Sequence, residues 1–154
     1  MRHASTEPGL GDPPGFRLGD CATQRNLSDA GRAEARSVGE RFKRERVPIE
    51  RVYASPWCRC RETATLAFGK AEAWEALSSF FDFPDREADY NERVKKRIAT
   101  LAQRGWRGNV VMVTHNVNIA ALTRQSVAPG EIVVVKAEGC CGVRMLGRVS
   151  VQAP

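Results

Sequence analysis

The stretch Arg51-Val52-Tyr53-Ala54-Ser55-Pro56-Trp57-Cys58-Arg59-Cys60-Arg61-Glu62-Thr63-Ala64 reads as a short strand that passes directly into a helix. Arg51–Ala54 carries the β-favouring pair Val52-Tyr53. Ser55 suits an N-cap and Pro56 the first helical position, with the helix ending near Gly69. A strand followed without a break by a helix is half of a βα unit, and its junction lies at the carboxyl end of the strand. Open α/β sheets bind ligands at that end. Arg59 sits one turn inside the helix, where exposed backbone amides already favour an anion. Arg61 is read as a surface residue or a neighbour of the site.

A second strand lies downstream. Asn109-Val110-Val111-Met112-Val113-Thr114 is apolar on both faces, as a buried parallel strand should be, and His115 follows its end. Residues 116–124 predict a short helix. Upstream, Ser28 is placed to cap a helix running to about Arg46, with Ala35, Val38 and Phe42 on one face and Pro48 beyond its end. Ala71–Trp74 predicts a short strand and residues 75–84 a loop. Asp85 is placed to cap a helix over Arg86–Arg104, where Val94, Ile98 and Leu101 share a face. Glu131–Ala137 and Val143–Val151 predict a terminal hairpin around Glu138-Gly139. Residues 4–26, with turns at Glu7-Pro8-Gly9 and Asp12-Pro13-Pro14-Gly15, form a long irregular loop. Loops of that length in compact domains are usually functional. Gly9, Gly11 and Gly15 are turn glycines rather than a phosphate loop, since no Gly-Lys-Ser/Thr follows. Strands alternating with helices, with no repeat or linker, predict one three-layer α/β domain spanning residues 1–154.

Both histidines of the chain, His3 and His115, therefore border irregular segments, and two arginines, Arg2 and Arg59, accompany them. A neutral imidazole is a competent nucleophile at phosphorus. Guanidinium groups bind phosphoryl oxygens in pairs and offset the charge that grows in the transition state.

This set resembles the histidine phosphatase, or phosphoglycerate mutase-like, superfamily. The resemblance rests on Arg2-His3-Ala4, Leu27-Ser28-Asp29-Ala30-Gly31, the Ser55–Ala64 run and Thr114-His115, in that order across nearly the whole chain. It implies a mostly parallel central sheet flanked by helices and a phosphoric monoester hydrolase working through a phosphohistidine. His3 would be the nucleophile, with Arg2, Arg59 and His115 as the phosphate pocket and Thr6 as a nearby hydroxyl. It implies no cofactor and no metal. The short length is similar to that of the small single-domain members, which include phosphohistidine phosphatases and bacterial envelope sugar-phosphate phosphatases.

Members often carry a Glu as proton donor in the loop after the third strand. Here that loop is Leu77-Ser78-Ser79-Phe80-Phe81-Asp82, so Asp82 is the substitute, with Glu75 in reserve. Without a strong acid, substrates with good leaving groups are favoured. The family also has a strand before Arg-His, in the middle of the sheet. Here only Met1 precedes Arg2, so the first strand reads as truncated. The expectation is a natural start upstream, encoding about 5–8 apolar residues, or a degenerate, non-catalytic phosphate-binding protein. An upstream signal peptide would place the protein in the periplasm; the chain as it stands carries none and reads as cytoplasmic.

Composition bounds the partners. The charge of +6, from 24 Lys and Arg against 18 Asp and Glu, favours anions. The absence of a basic tail or an aromatic-interleaved basic stripe argues for a small phosphorylated substrate or phosphoprotein rather than nucleic acid. No apolar run reaches the roughly 18 residues of a membrane span. The five cysteines (Cys21, Cys58, Cys60, Cys140, Cys141) lack zinc spacing. Small buried thiols are the preferred reading. The alternative is a disulfide from Cys21 to Cys58 or Cys60, which would pin the long loop over the pocket if the family fold holds.

Overall fold

A computed structural model describes residues 1–105, 107–139 and 142–150. Cys140, Cys141 and Val151 lie outside the described residues. Three parallel strands form the sheet, in the order β2 (Glu72–Ala73), β1 (Ile49–Ala54), β3 (Asn109–Val113). Val52 pairs with Val111 and Ala54 with Val113. Period-two alternation then separates two cores. Val52, Ala54, Val111 and Val113 face α1 (Asp29–Arg44) and α2 (Cys58–Phe68). Tyr53, Val110 and Met112 face α3 (Glu87–Gln103) and α4 (Asn116–Thr123). The result is the three-layer α/β arrangement expected. An antiparallel hairpin of β4 (Ile132–Glu138) and β5 (Gly142–Val149) completes the fold.

Two glycines set how closely the first layer packs. A Cβ on Gly39 would stand 2.2 Å from the Ala67 carbonyl oxygen, so α1 rests backbone-close on α2. A Cβ on Gly31 would stand 1.8 Å from the Ser5 carbonyl oxygen. The glycine of the Leu27–Gly31 motif therefore lets the long loop lie against the first turn of α1. Ser28 caps that turn by accepting from the Gly31 amide at 3.1 Å.

The helix after β1 starts later than its sequence suggested. Ser55 and Pro56 lie outside it, Trp57 is the N-cap, and the first helical residue is Cys58. The Ser55 hydroxyl is turned instead to His115, 2.9 Å away. The Cys58 amide is met by Gln24 Oε1 at 3.0 Å, so a residue of the long loop caps the helix. Asp85 likewise falls in a 3-10 turn, Pro84–Arg86, and the next helix begins at Glu87 with Arg86 as N-cap.

Met1–His3 run extended past the end of β3 and the start of β4, with a single parallel bridge from Arg2 to Thr114. The Met1 amino group donates to Met112 O, Thr114 N to Met1 O, and His3 N to Thr114 O, all at 2.9 Å. On the opposite side Arg2 N donates to Glu131 O at 3.0 Å and Gly130 N to His3 O at 3.1 Å. Burial lowers the Met1 amino pKa from 8.0 to about 5, so it is neutral at pH 7. Behind Met1 the strands are not bridged. Among the described residues β3 pairs as a strand only with β1, and β4 only with β5. Residues of both line an apolar slot of about 620 Å³, bounded by Met1, Val111, Met112, Val133 and Val135.

Candidate active site

Four sequence-predicted residues converge at the carboxyl ends of β1 and β3. His3 and His115 lie edge to face, ring centroids 5.4 Å apart, and both are about 95 % buried, as is Arg59. Arg2 and Arg59 lie close enough to His3 for their charges to act on it.

The peptide around His3 sets its chemistry. Its Nδ1 lies 2.8 Å from the Ala4 carbonyl oxygen. A carbonyl only accepts, so Nδ1 carries the proton and Nε2 keeps its lone pair. Burial lowers the His3 pKa to about 3, and the charges of Arg59, Arg2 and Arg25 press the same way, against the Ala4 hydrogen bond. The imidazole is therefore neutral throughout the physiological range. His115 is held well below its usual pKa, first by burial, then by His3 and the same three arginines. Its Nε2 is engaged by Ser55 Oγ, with the Cys60 sulfur at 3.5 Å. Burial pushes the Cys60 thiol up to about 12, so it stays protonated.

These shifts carry a stability cost at low pH. In the unfolded chain both histidines take up a proton below about pH 6.5, whereas the fold keeps them neutral. Their contribution is complete above about pH 6.5 and is lost as pH falls, for His3 down to about 3. For His3 the expected loss is about 1.4 kcal/mol per pH unit below pH 6.5, and His115 adds to it in the same direction. Urea melts at pH 7, 6 and 5 check this, with a flat denaturation free energy as the contrary result.

Thr63 explains the end of the Ser55–Ala64 motif. Its hydroxyl donates to Arg59 O at 2.6 Å and accepts from the Ala4 amide at 3.1 Å. One side chain thus joins the residue after His3 to the arginine-bearing turn of α2.

Three site residues were not anticipated. Arg25, in the long loop, stands near Arg59 and His3; its pKa is lowered, first by burial and then by the Arg59 charge. Its Nη1 donates to Gly9 O. Asp12, also in the loop, forms a two-pronged ion pair with Arg59, Oδ1 to Nη1 at 2.7 Å and Oδ2 to Nη2 at 2.9 Å. Trp57 donates its indole N–H to Asp12 Oδ2 at 3.0 Å and packs edge-on against His115. The only sequence signal for Asp12 and Arg25 was their place in a long loop of functional type.

Three guanidinium Nε groups, on Arg2, Arg25 and Arg59, are buried without a hydrogen-bond partner among the described residues. Arg2 spends Nη1 on Val127 O at 2.7 Å. Orphaned cationic donors are costly in a protein interior. Three of them around neutral imidazoles make a site that an anion with several acceptor oxygens would satisfy.

The remaining expectations fare differently. The Thr6 backbone bridges Leu27, and its hydroxyl has no partner among the described residues. Asp82 is exposed and forms no hydrogen bond or ion pair with them. Glu75 is tied to Arg93 at 3.3 Å on the surface. Arg61 is exposed. The preferred reading of Cys21 and Cys58 as free buried thiols is corrected: they form a disulfide, Cα atoms 5.7 Å apart. Gln24, Asp12 and Arg25 all lay the loop on α2, which brings Cys21 to the first residue of that helix. Cys60 stays free and buried. A larger groove of about 990 Å³ at the other end of β1 contains no His or Cys and none of the four predicted site residues or Asp12, Arg25 and Trp57. No helix among the described residues is long and apolar enough to cross a membrane.

The chain belongs to the histidine phosphatase superfamily (branch 1), whose sequence profile matches residues 1–80. Solved structures of similar fold cover nearly all of it. The protein histidine phosphatase SixA complexed with tungstate is 20 % identical, covers 97 % of this chain and 94 % of its own, and superposes with a TM-score of 0.65. Phosphoserine phosphatase from Entamoeba histolytica in complex with 3-phosphoglyceric acid gives 14 %, 98 %, 95 % and 0.67 in the same order. Phosphoglycerate mutase from Thermus thermophilus gives 19 %, 98 %, 96 % and 0.61. At such identities these likenesses speak for the fold. No curated protein matches the chain.

Proposed function

We propose that this chain is a metal-independent phosphatase that transfers a phosphoryl group to His3 and then to water. The observation that carries the reading is the His3 tautomer beside three unpartnered guanidinium Nε groups: a free Nε2 lone pair next to an anion site. Nε2 attacks phosphorus, and the bond from phosphorus to the leaving group breaks with its electron pair on that group. Water then attacks the phosphohistidine, releasing inorganic phosphate and returning the lone pair to Nε2. Arg2, Arg25 and Arg59 offset the charge on the equatorial oxygens in both steps. His115, neutral and hydrogen-bonded to Ser55, supports the pocket wall.

Asp82 and Glu75 are both exposed, and Glu75 is already paired. A leaving group that departs without a strong acid therefore suits the site best, which favours phosphohistidine, acyl phosphate or an activated phosphoester. The activity for which the SixA neighbour is named is in line with that class. The test is hydrolysis of p-nitrophenyl phosphate in EDTA, with vanadate as inhibitor, since vanadate mimics five-coordinate phosphorus. Turnover that persists in EDTA and is blocked by vanadate supports the proposal. Activity that needs an added divalent metal overturns it. Oxyanion binding without turnover would point to a non-catalytic phosphate-binding protein.

A further inference from the structure

We infer that Asp12 is the positioning residue for Arg59: it takes one edge of the guanidinium so that the other edge is presented to the phosphoryl group. The inference rests on the phosphatase reading above and deepens it.

A guanidinium has five N–H donors in a rigid plane. Asp12 takes one from Nη1 and one from Nη2. The second Nη1 proton reaches Arg25 O at 3.3 Å. What remains is one Nη2 proton and the Nε proton, which lie side by side on a single edge. That Nε is buried and unpartnered. The ion pair itself is enclosed, with side chains 5 % and 2 % exposed. Each Asp12 oxygen is doubly used: the Arg25 amide adds to Oδ1 at 3.0 Å, and the Trp57 indole adds to Oδ2. Burial alone would raise the Asp12 pKa, but the Arg59 hydrogen bonds and charge, with the Arg25 amide, bring it below the usual value. A carboxylate held by four donors does not swing away, and Arg59 is fixed through it. The remaining edge has the spacing of two phosphoryl oxygens, so the pair works as a jig for two-point contact.

The same contact could instead be a plug, with the Asp12 carboxylate standing where the phosphoryl group would sit. The two readings predict opposite signs, and the unused Nε/Nη2 edge favours the jig.

The experiment is a double-mutant cycle with Asp12→Ala, Arg59→Ala and both together, plus Asp12→Asn and Asp12→Glu. It is read by calorimetric binding of inorganic phosphate and by kcat and KM on p-nitrophenyl phosphate. Asp12→Ala is expected to cost about 10–100-fold in phosphate affinity and in kcat/KM, the scale of a misplaced binding group. In the Arg59→Ala background the same change should cost less than about 2-fold, because its effect passes through Arg59. Asp12→Asn should behave like Asp12→Ala, since its amide donors oppose those of Arg59, and Asp12→Glu should recover part of the loss. Tighter phosphate binding in Asp12→Ala would establish the plug and overturn the proposal. Losses that multiply in the double variant would also overturn it, since a merely structural role would survive removal of Arg59. If the parent chain binds phosphate but does not turn over, the phosphatase reading fails while the binding cycle still decides the role of Asp12.

Discussion

His3→Ala should lower turnover of p-nitrophenyl phosphate by about 10⁴-fold or more, to a level indistinguishable from a blank, the scale on which a catalytic nucleophile is lost. The site offers no substitute. His115 is neutral, but its Nε2 is engaged by Ser55 and lies against Cys60. Cys60 is buried, with its thiol pushed up to about 12, so no thiolate forms at working pH. Acid-stable phosphate should be absent, and acid-labile label should disappear with His3. The check is rapid quenching with ³²P-labelled substrate followed by peptide mapping. Label retained on any residue of the His3→Ala variant would remove His3 from the mechanism. His3 is already unprotonated above about pH 3, so the acid limb of the rate profile should not follow an ordinary histidine pKa. It should follow the second ionisation of the substrate phosphate or the loss of folded protein.

Breaking the Cys21–Cys58 bond should cost about 4 kcal/mol of stability. The bridge closes a loop across a sequence separation of 37 residues, and the chain-entropy relation gives roughly that value for such a loop. For a chain of this length the corresponding fall in Tm is roughly 8–16 °C. The effect should reach the site, because the tethered loop carries Asp12, Gln24 and Arg25. Gln24 caps α2 at Cys58, and Asp12 holds Arg59, the next residue of that helix. Cys21→Ser and dithiothreitol treatment should therefore lower kcat/KM as well as Tm. Equal melting temperatures with and without reductant would rule out a stabilising bridge. Lower Tm with unchanged kcat/KM at 20 °C would show that the loop holds its place without it.

The parts of the site legible in sequence came through the motifs that carry the family resemblance, and the structure gives two of their residues a local job. Gly31 is needed where the Ser5 backbone touches α1. Thr63 is needed where one hydroxyl must serve two backbone groups. Val110–Val113 announced a strand with both faces covered, and both cores use it. What stayed hidden depends on the path of a loop. Asp12 and Arg59 are 47 positions apart, and no periodicity connects an irregular segment to a helix. Arg25 lies in the same irregular segment, two residues before the Leu27–Gly31 motif, and nothing local marks it. The Ser55-Pro56 pair misplaced the helix start: Ser55 Oγ meets His115 and the Trp57 amide, and the helix begins only at Cys58. Nothing in the sequence decided whether Asp82 lies at the site, and its exposure leaves it without a bonded role.

The Thr63 hydroxyl has a bearing on recombination. It binds Ala4 on one side and Arg59 on the other, so the segment that carries His3 and the segment that carries Arg59 share one atom as a common pin. A chimera that exchanges residues 1–31 with those of another superfamily member keeps its registration only if the incoming loop offers an amide at the Ala4 position and an acid at the Asp12 position. Segments 1–31 and 55–64 therefore form one exchangeable cassette, although 23 residues of helix and strand separate them in the chain.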